Sequence, residues 1–358
     1  MDLLRLAGAP GVGKSATAWA IAQQLAREGV RCGYVDIDQL GMCYPPPDDD
    51  PDRWGLKERA LAGVAEEFRR AGVDRLVVSG VAWPDDPPPQ IEGISVQSIW
   101  LDASEITRRD RLGQRGTTGG QLEQYLAAGT AEAARVESSW ERISTDEWSL
   151  DETVEEVLSR WHPVAAESIT AVRPLASATA AAHRVLWLTG PRLAGASRIG
   201  WEIASEEWGA GHRLGFADLA QLSFVWNNDG RAVGLANLVR VHDAFRGVGA
   251  DVFVVAAPLE ISPSAVRASL PSAEVSFVRL VASDADVRAH ATSRRRGDGP
   301  ALAGDDITGA SDAAIDEVMR DFRTQSALPI REHEQMVDTR GLSLADAATA
   351  VRSFLPAE

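Results

Sequence analysis

The sequence has few cysteines, no clustered histidines and no long apolar run. Its 358 residues include only two cysteines, Cys32 and Cys43, which argues against a disulfide framework and is typical of a reducing compartment. No stretch approaches the roughly 18–20 apolar residues that a helix needs to cross a bilayer. The six histidines are scattered without zinc-ligand spacing. We therefore expect a cytoplasmic protein without a signal peptide, a membrane span or a zinc site.

The chain also lacks an excess of basic residues. It has 36 Lys and Arg against 52 Asp and Glu, for a formal net charge of −16. Nucleic acids and anionic membranes attract clustered Lys and Arg, so this balance argues against both as partners. The composition, 45% hydrophobic and 25% charged, is that of a globular protein, and the length is sufficient for two domains, each with its own core.

A complete phosphate-binding pattern, GxxxxGK[ST], stands at Gly8–Ser15. An apolar segment that we predict as a strand precedes it, and a predicted helix follows. Glycines let the backbone curl so that successive N–H groups point at phosphate oxygens, and the helix adds its positive N-terminal end. Lys14 can reach the β- and γ-phosphates, and the Ser15 hydroxyl is a ligand for Mg²⁺. The predicted nucleotide-binding residues are Gly8, Gly11, Val12, Gly13, Lys14, Ser15 and Ala16.

The chain contains an internal repeat. Gly8–Ser15 has a counterpart in Gly190–Ser197, and Gly33–Asp36 has one in Gly215–Asp218 at the same separation. With small gaps, the correspondence continues through the pairs Phe68 and Phe245, Asp74 and Asp251, Leu101 and Leu280, Ser104 and Ser283, and Thr145 and Thr339. This agreement in order and spacing indicates a duplicated domain. We expect domains at 1–162 and 183–358, joined by an Ala-, Ser- and Pro-rich linker at 163–182.

Each copy alternates predicted strands with predicted helices. In the first copy, strands are expected at Leu3–Ala7, Arg31–Asp36, Arg75–Ser79 and Ser95–Leu101. Helices are expected at Ser15–Arg27, Leu56–Ala71, Ser104–Arg115, Gln121–Ser138 and Asp151–Trp161. Such alternation predicts the α/β class, with a mainly parallel sheet and helices on both of its faces in each copy.

Both copies resemble the P-loop kinase group that includes shikimate, gluconate and adenylate kinases and the related small AAA-family ATPases. The resemblance rests on the loop at 8–15, on Asp36-Ile37-Asp38 after the second strand, on Val77–Gly80, and on Leu101–Ser104 with the arginines that follow it. It implies that Asp36 joins Ser15 in the Mg²⁺ shell and that Asp38 is the acceptor-side base or a substrate ligand. The alternative is that either aspartate merely caps the end of a strand.

Four arginines follow closely in the helix predicted at Ser104–Arg115: Arg108, Arg109, Arg111 and Arg115. Charge accumulates on the phosphoryl group during transfer, and positioned guanidinium groups stabilise it. Related kinases carry such arginines on a mobile lid. Because residues three and four apart share a helical face, we assign Arg108, Arg111 and Arg115 to the phosphates. A solvated helix face is the alternative explanation.

Two further segments are candidates through the resemblance. Gly41–Trp54 follows the aspartate pair, where P-loop kinases grip their substrate; a surface loop is the alternative. Ser144–Asp146 precedes the last helix of the first copy, where related proteins pack adenine against backbone atoms. Neither segment carries a signature that identifies the acceptor.

The second copy departs from the pattern at the residues that matter for chemistry. Ala196 replaces the lysine and Ala220 replaces Asp38, whereas Ser197 and Asp218 are retained. Arg192 or Arg198 could supply a positive charge, but a guanidinium differs in geometry from an ammonium group. Arg294–Arg296 corresponds to the arginine cluster of the first copy. We therefore expect catalysis in the first copy alone, with the second as its partner in an intramolecular pseudo-dimer.

Three functions remain open on these residues. The favoured one is an ATP-dependent phosphotransferase that uses Mg²⁺ and acts on an unidentified small molecule, with GTP left open as the nucleotide. The second is a nucleotide-switched regulatory or assembly ATPase without such an acceptor. The third is an interaction module descended from a kinase, which the intact Lys14, Asp36 and Asp38 argue against in the first copy. Fold resemblance alone does not supply the acceptor.

Overall fold

The structure is a computed structural model that describes residues 1–162, 183–300 and 302–355. The predicted linker, 163–182, lies outside the described residues. The strands are β1 (Asp2–Ala7), β2 (Cys32–Asp36), β3 (Cys43–Tyr44), β4 (Arg75–Ser79), β5 (Ser95–Asp102), β6 (Glu141–Ser144), β7 (His183–Thr189), β8 (Leu214–Asp218), β9 (Val252–Ala256), β10 (Ala273–Val281) and β11 (Glu334–Asp338). The α-helices are α1 (Lys14–Arg27), α2 (Trp54–Arg70), α3 (Glu105–Gln114), α4 (Gly119–Arg135), α5 (Leu150–Arg160), α6 (Ala196–Gly209), α7 (Gly230–Arg246), α8 (Pro263–Ser269), α9 (Asp284–Arg295), α10 (Asp312–Ser326) and α11 (Leu344–Arg352).

The described residues form two compact units. The first unit consists of residues 1–41, 54–162 and 224–233, and the second consists of 42–53, 183–223, 234–300 and 302–355. These units differ from the predicted domains, 1–162 and 183–358, in two short segments. Residues 42–53 lie in the second unit and residues 224–233 lie in the first. The domain boundaries themselves stay a prediction.

The first unit is built on a parallel sheet of five strands in the order β2-β4-β1-β5-β6. From β1 the chain runs through α1 to β2 in one direction, and from β5 it runs through α3 and α4 to β6 in the other. Right-handed crossovers place connections of opposite direction on opposite faces of the sheet. The α/β prediction is therefore confirmed for this unit. Strand β6 was missed, because its sequence, ERIS, offers Ile143 as its one buried position.

The second unit has a sheet of six strands in the order β11-β10-β7-β9-β8-β3. Its first five strands in this order are parallel, and β3 pairs antiparallel with the outer strand β8. Counted along the chain from β7, the five parallel strands repeat the order seen in the first unit. The prediction of a mainly parallel α/β sheet is thus confirmed here too, while descent from one duplicated domain stays a prediction.

The central strand of the first unit, β1, reads almost entirely apolar because both of its faces are covered. Leu3, Leu4 and Leu6 are at most 1% exposed. Besides Asp2 at its start, the exception is Arg5, a buried residue whose guanidinium forms a two-point ion pair with the Glu58 carboxylate of α2. In the part of the chain that the structure describes, no helix is long and apolar enough to span a membrane.

Gly33 on β2 leaves room for the ring of Phe68, and this contact makes a testable prediction. A Cβ at Gly33 would lie 2.7 Å from the Phe68 ring, which is fully buried. We expect Gly33→Ala to lower the free energy of unfolding by about 1–3 kcal/mol, as overpacking does. Chemical denaturation followed by circular dichroism measures the effect. Gly113→Ala in α3, where a Cβ meets nothing within 4 Å, is the matched control and should not destabilise. An unchanged midpoint in Gly33→Ala would contradict this packing.

Candidate active site

The predicted phosphate loop lies at the carboxyl end of β1, where the strand order changes direction. Open α/β sheets bind ligands at such a point. Gly8, Gly11 and Gly13 have φ angles of 141°, 87° and 101°, which residues with a side chain rarely adopt. A Cβ at Gly8 would also lie 2.2 Å from the Leu101 carbonyl oxygen. The loop conformation therefore requires its glycines, and α1 begins at Lys14 directly after it.

Lys14 is the first residue of α1, and the charges of nearby carboxylates act on its ammonium group. Its Nζ donates a hydrogen bond to the Ala9 carbonyl oxygen of the loop at 2.9 Å. Desolvation lowers the pKa of Lys14, and the nearby carboxylates of Asp38 and Asp36 oppose that shift. The ammonium group is thus held at the loop, within electrostatic reach of both predicted aspartates. The predicted nucleotide residues Val12, Ser15 and Ala16 lie in the same loop and first turn.

The Asp36 carboxylate is held by three hydrogen-bond donors. Its Oδ2 accepts from Ser15 Oγ at 3.1 Å and from Ser79 Oγ at 3.0 Å, and its Oδ1 accepts from the Asp38 backbone N–H at 3.0 Å. Burial, together with the Asp38 carboxylate, raises the pKa of Asp36 to about 6, and the hydrogen bonds oppose that shift. The structure therefore brings Ser15 and Asp36 together, as the resemblance implied.

The Asp38 carboxylate is paired with a lysine that the sequence analysis did not identify. Lys57 Nζ of α2 lies 2.9 Å from Asp38 Oδ1, and the Lys57 side chain is 6% exposed whereas that of Asp38 is 43% exposed. A Cβ at Gly41 would lie 2.7 Å from the Lys57 side chain, so the glycine makes room for it. The signal was available: Lys57 stands at helical spacing with the buried Leu61 in α2, on an otherwise apolar face.

The pair formed by Ser15 and Asp36 has the chemistry of a magnesium site. Mg²⁺ prefers oxygen ligands and is bound in nucleotide sites by one or two protein groups together with phosphates and water. Within the described ranges, no cluster of three or more His, Cys, Asp or Glu residues could hold a metal ion. The hydroxyl and the carboxylate, hydrogen-bonded to each other at 3.1 Å, fit a cation that shares its ligands with a nucleotide.

Two of the three arginines assigned to the phosphates are engaged with protein groups. Arg111 donates from Nη1 to the Val12 carbonyl oxygen at 3.1 Å and from Nη2 to the Thr145 carbonyl oxygen at 2.8 Å. Arg108 is buried, and its Nη2 donates to Thr130 Oγ1 of α4 at 2.8 Å. These contacts attach the loop and α4 to α3. A direct role for Arg108 or Arg111 at the phosphates stays a prediction.

Arg115, at the end of α3, differs from the other two. Its charge acts on Lys14, whose pKa it lowers, so the guanidinium lies within electrostatic reach of the phosphate loop. Arg115 is also exposed, and among the described residues no hydrogen bond to a protein side chain holds it as Thr130 holds Arg108; its role at the phosphates stays a prediction. Arg109, by contrast, is paired with the carboxylates of Glu105 and Glu123.

The two weaker candidate segments are placed differently. Thr145, within Ser144–Asp146, is buried and donates from Oγ1 to the Val12 carbonyl oxygen at 3.0 Å, so this segment supports the phosphate loop. Adenine packing there stays a prediction. Most of Gly41–Trp54 lies in the second unit, as residues 42–53. Its predicted contact with an acceptor likewise stays a prediction.

The second unit preserves the shape of the loop but not its charges. Gly195, before α6, has a φ of 100°, close to that of Gly13, and the side chain of Ser197 bonds to Asp218. The Arg192 guanidinium, inside the loop, pairs with Asp306 at 2.5 Å. The Arg192 backbone N–H donates to the side-chain oxygen of Gln325 at 2.6 Å. The loop residue Arg192 is therefore bound through both its side chain and its backbone N–H to side chains of the same unit.

Carboxylates also neutralise the arginines that correspond to the cluster of the first copy. Arg294 Nε lies 3.0 Å from an Asp305 oxygen. Arg295 pairs with Asp312, and Arg296 Nη2 lies 3.5 Å from an Asp298 oxygen. A bound anion would have to compete with these carboxylates. Because exposed ion pairs are worth at most about 1 kcal/mol each, this competition weakens anion binding in this unit only modestly.

Comparison with known proteins returns solved structures only. No family model and no curated protein matches the chain. A gluconokinase from Sinorhizobium meliloti 1021 is 22% identical, with 44% of this chain and 90% of that chain covered and a TM-score of 0.30. A shikimate kinase from Bacteroides thetaiotaomicron is 16% identical, with 44% of this chain and 96% of that chain covered and a TM-score of 0.26. A Deinococcus radiodurans tunicamycin resistance protein is 16% identical, with 48% of this chain and 94% of that chain covered and a TM-score of 0.29.

The different surroundings of Arg111 and Arg115 predict different effects of their substitution on the unfolding temperature. We expect Arg115→Ala to weaken ATP binding about tenfold, the worth of one charge-assisted hydrogen bond, while the unfolding temperature is unchanged. Arg111→Ala should lower the unfolding temperature as well, because it leaves the carbonyl groups of Val12 and Thr145 without this donor. Calorimetric titration and thermal unfolding measure both effects. The reverse pattern would show that the two roles are exchanged.

Proposed function

We propose that the first unit is an ATP-dependent phosphotransferase that acts on a hydroxyl group of a small molecule. One observation carries the proposal: the Ser15 hydroxyl of the phosphate loop is hydrogen-bonded to one of two carboxylates with different surroundings, and Lys14 lies within electrostatic reach of both. Asp36 is hydrogen-bonded to Ser15 on the loop, whereas Asp38 is held by Lys57 and is partly exposed. Phosphoryl transfer needs one carboxylate near the phosphates and their cation and another that reaches the acceptor.

In the proposed reaction, the loop N–H groups and Lys14 hold the β- and γ-phosphates. Ser15 and Asp36 would hold Mg²⁺, which when bound neutralises charge on the phosphates. The acceptor oxygen forms a bond to the γ-phosphorus while the bond from that phosphorus to the bridging oxygen breaks, and ADP leaves. Asp38 accepts the hydroxyl proton, and the ion pair with Lys57 keeps the carboxylate in position. Arg115 would stabilise charge on the transferred group.

We propose further that the chain arose by tandem duplication, with an active copy at 1–162 and a degenerate one at 183–358. The shared strand order, and the matching φ angles of Gly13 and Gly195, support this origin. The second copy has lost the lysine, as Ala196, and the second aspartate, as Ala220. Its arginines are paired with carboxylates. The pseudo-dimer of the two copies stays a prediction.

A nucleotide-switched ATPase without an acceptor is the second candidate. The observation that favours it is the ion pair of Asp38 with Lys57, because Lys57 Nζ occupies an oxygen of the carboxylate that would have to receive the acceptor's proton. ADP release measured with and without a library of hydroxyl-bearing metabolites separates the two. A compound that accelerates release and becomes phosphorylated supports the transferase; slow turnover that no compound changes supports the switch.

The nucleotide site makes a prediction about stoichiometry. We expect one ATP per chain in calorimetric titration. Lys14→Ala should weaken that binding by at least about a hundredfold and abolish turnover, because the variant removes a charge-assisted contact to the phosphates. Ser197→Ala in the second unit is the matched control and should leave both unchanged. Two tight sites, or turnover that survives in Lys14→Ala, would be incompatible with catalysis in the first copy alone.

The acceptor side makes a separate prediction. Asp38→Asn should reduce turnover at least about a hundredfold, within the usual range for general acid–base catalysis, while ATP affinity changes little. Lys57→Met, which keeps much of the side-chain volume but loses the charge, should lower turnover less, since Asp38 itself remains. Steady-state kinetics and calorimetry of the same preparations test this. Normal turnover in Asp38→Asn combined with loss in Asp36→Asn would transfer the role of base to Asp36.

A further inference from the structure

A buried tyrosine lies behind the Asp36 carboxylate. Tyr34 of β2 is 1% exposed, and its hydroxyl lies 2.8 Å from Ser79 Oγ of β4. Ser79 Oγ in turn donates to Asp36 Oδ2 at 3.0 Å. A serine has a single hydroxyl proton, and here it is directed to the carboxylate, so Tyr34 must be the donor to Ser79. The two hydroxyls form a chain that ends on Asp36.

The tyrosine is suited to act as a permanent donor. A tyrosine hydroxyl carries its proton at neutral pH and can therefore donate a hydrogen bond. The ring is held by an edge-to-face contact with Trp19 of α1, with ring centroids 5.3 Å apart. Its backbone N–H donates at 2.9 Å to the carbonyl oxygen of Phe224, which belongs to segment 224–233 of the first unit. The hydroxyl therefore has little freedom to turn away.

The second unit contains the same packing without the hydroxyls. Phe216 of β8 takes the place of Tyr34 in the repeat, and its ring meets Trp201 edge-to-face at 5.7 Å. Ala256 pairs with Asp218 across β8 and β9, as Ser79 pairs with Asp36 across β2 and β4. Ring packing and strand pairing are therefore satisfied by phenylalanine and alanine. The hydroxyls occur in the unit that also retains the lysine and both aspartates.

We propose that the hydroxyls of Tyr34 and Ser79 are positioning groups that orient the Asp36 carboxylate toward the divalent cation of a bound nucleotide. The inference rests on the proposed function of the first unit. Carboxylates that bind metal ions are themselves commonly hydrogen-bonded, and such outer contacts raise metal affinity by holding the ligand in place. In this site Ser15 and the Asp38 N–H hold the carboxylate from the loop side and the strand end, and the tyrosine–serine chain holds it from the sheet.

The test uses Tyr34→Phe and Ser79→Ala, which install the residue types that the second unit has at these positions. ATP affinity is measured by calorimetry over a range of Mg²⁺ concentrations and in its absence. We expect each variant to raise the half-saturating Mg²⁺ concentration about tenfold, with Mg²⁺-free ATP affinity nearly unchanged. Ser79→Ala should also lower the unfolding temperature, because it removes the acceptor of the buried Tyr34 hydroxyl, so binding is measured well below the unfolding transition. Because the Tyr34 hydroxyl also contacts the Ser15 side chain, which donates to the same Asp36 oxygen, the double variant should lose at least as much Mg²⁺ affinity as either single variant.

The matched controls remove a hydroxyl elsewhere in the first unit. Tyr125→Phe lies on α4, and Ser98→Ala removes a buried hydroxyl from β5; both should leave the Mg²⁺ dependence unchanged. Unchanged Mg²⁺ dependence in Tyr34→Phe, or an equal loss of affinity without Mg²⁺, overturns the inference and leaves the proposed function standing. A wild-type chain that fails to bind ATP overturns both.

Discussion

The first unit depends on the hydrogen bonding of one partly desolvated carboxylate. Burial of Asp36 at the end of β2, together with the Asp38 carboxylate in the turn that follows, raises the free energy of its ionised form, as its raised pKa shows. Donors from Ser15, Ser79 and the Asp38 backbone offset part of that cost. Each donor comes from a different element, so α1, β4 and the turn after β2 meet at this group. The carboxylate thereby links the phosphate loop to the acceptor side.

The phosphate loop is supported from a second direction by α3 and the segment after β6. Arg111 and the Thr145 hydroxyl both donate to the Val12 carbonyl oxygen, and the Thr145 backbone N–H donates to the Asp102 carbonyl oxygen at the end of β5. A loop that presents N–H groups to a ligand must have its carbonyl groups satisfied elsewhere. Arg111 therefore contributes to the site through the backbone of the loop, which explains why an arginine in a predicted lid is engaged with protein groups.

The second unit shows which features belong to the fold and which to the proposed chemistry. Sheet order, the turn before α6 and the Ser197–Asp218 contact persist without the lysine, the second aspartate, the tyrosine hydroxyl and the serine hydroxyl. Carboxylates such as Asp305 and Asp306 pair with arginines near the loop. Because these carboxylates balance the charge of Arg192 and Arg294, both arginines are satisfied without a phosphate ligand.

The sequence by itself determined the features that depend on neighbours along the chain. Glycines at fixed spacing before Lys14 and Ser15 specify a phosphate loop, because backbone conformation is a local property, and alternating strand and helix patterns specify an α/β sheet. Helical spacing placed Arg108, Arg111 and Arg115 on one face but could not tell which protein groups that face meets. Strand β6 was missed because a short edge strand buries too little to leave a pattern.

Only the tertiary structure decided the contacts between residues distant in sequence. The pairing of Lys57 with Asp38 depends on how α2 packs, and the chain from Tyr34 through Ser79 to Asp36 depends on the register of β2 against β4. The placement of segments 42–53 and 224–233 depends on which strand edge each segment reaches. Such contacts are set by packing and strand pairing over the whole unit, and local sequence patterns carry no record of them.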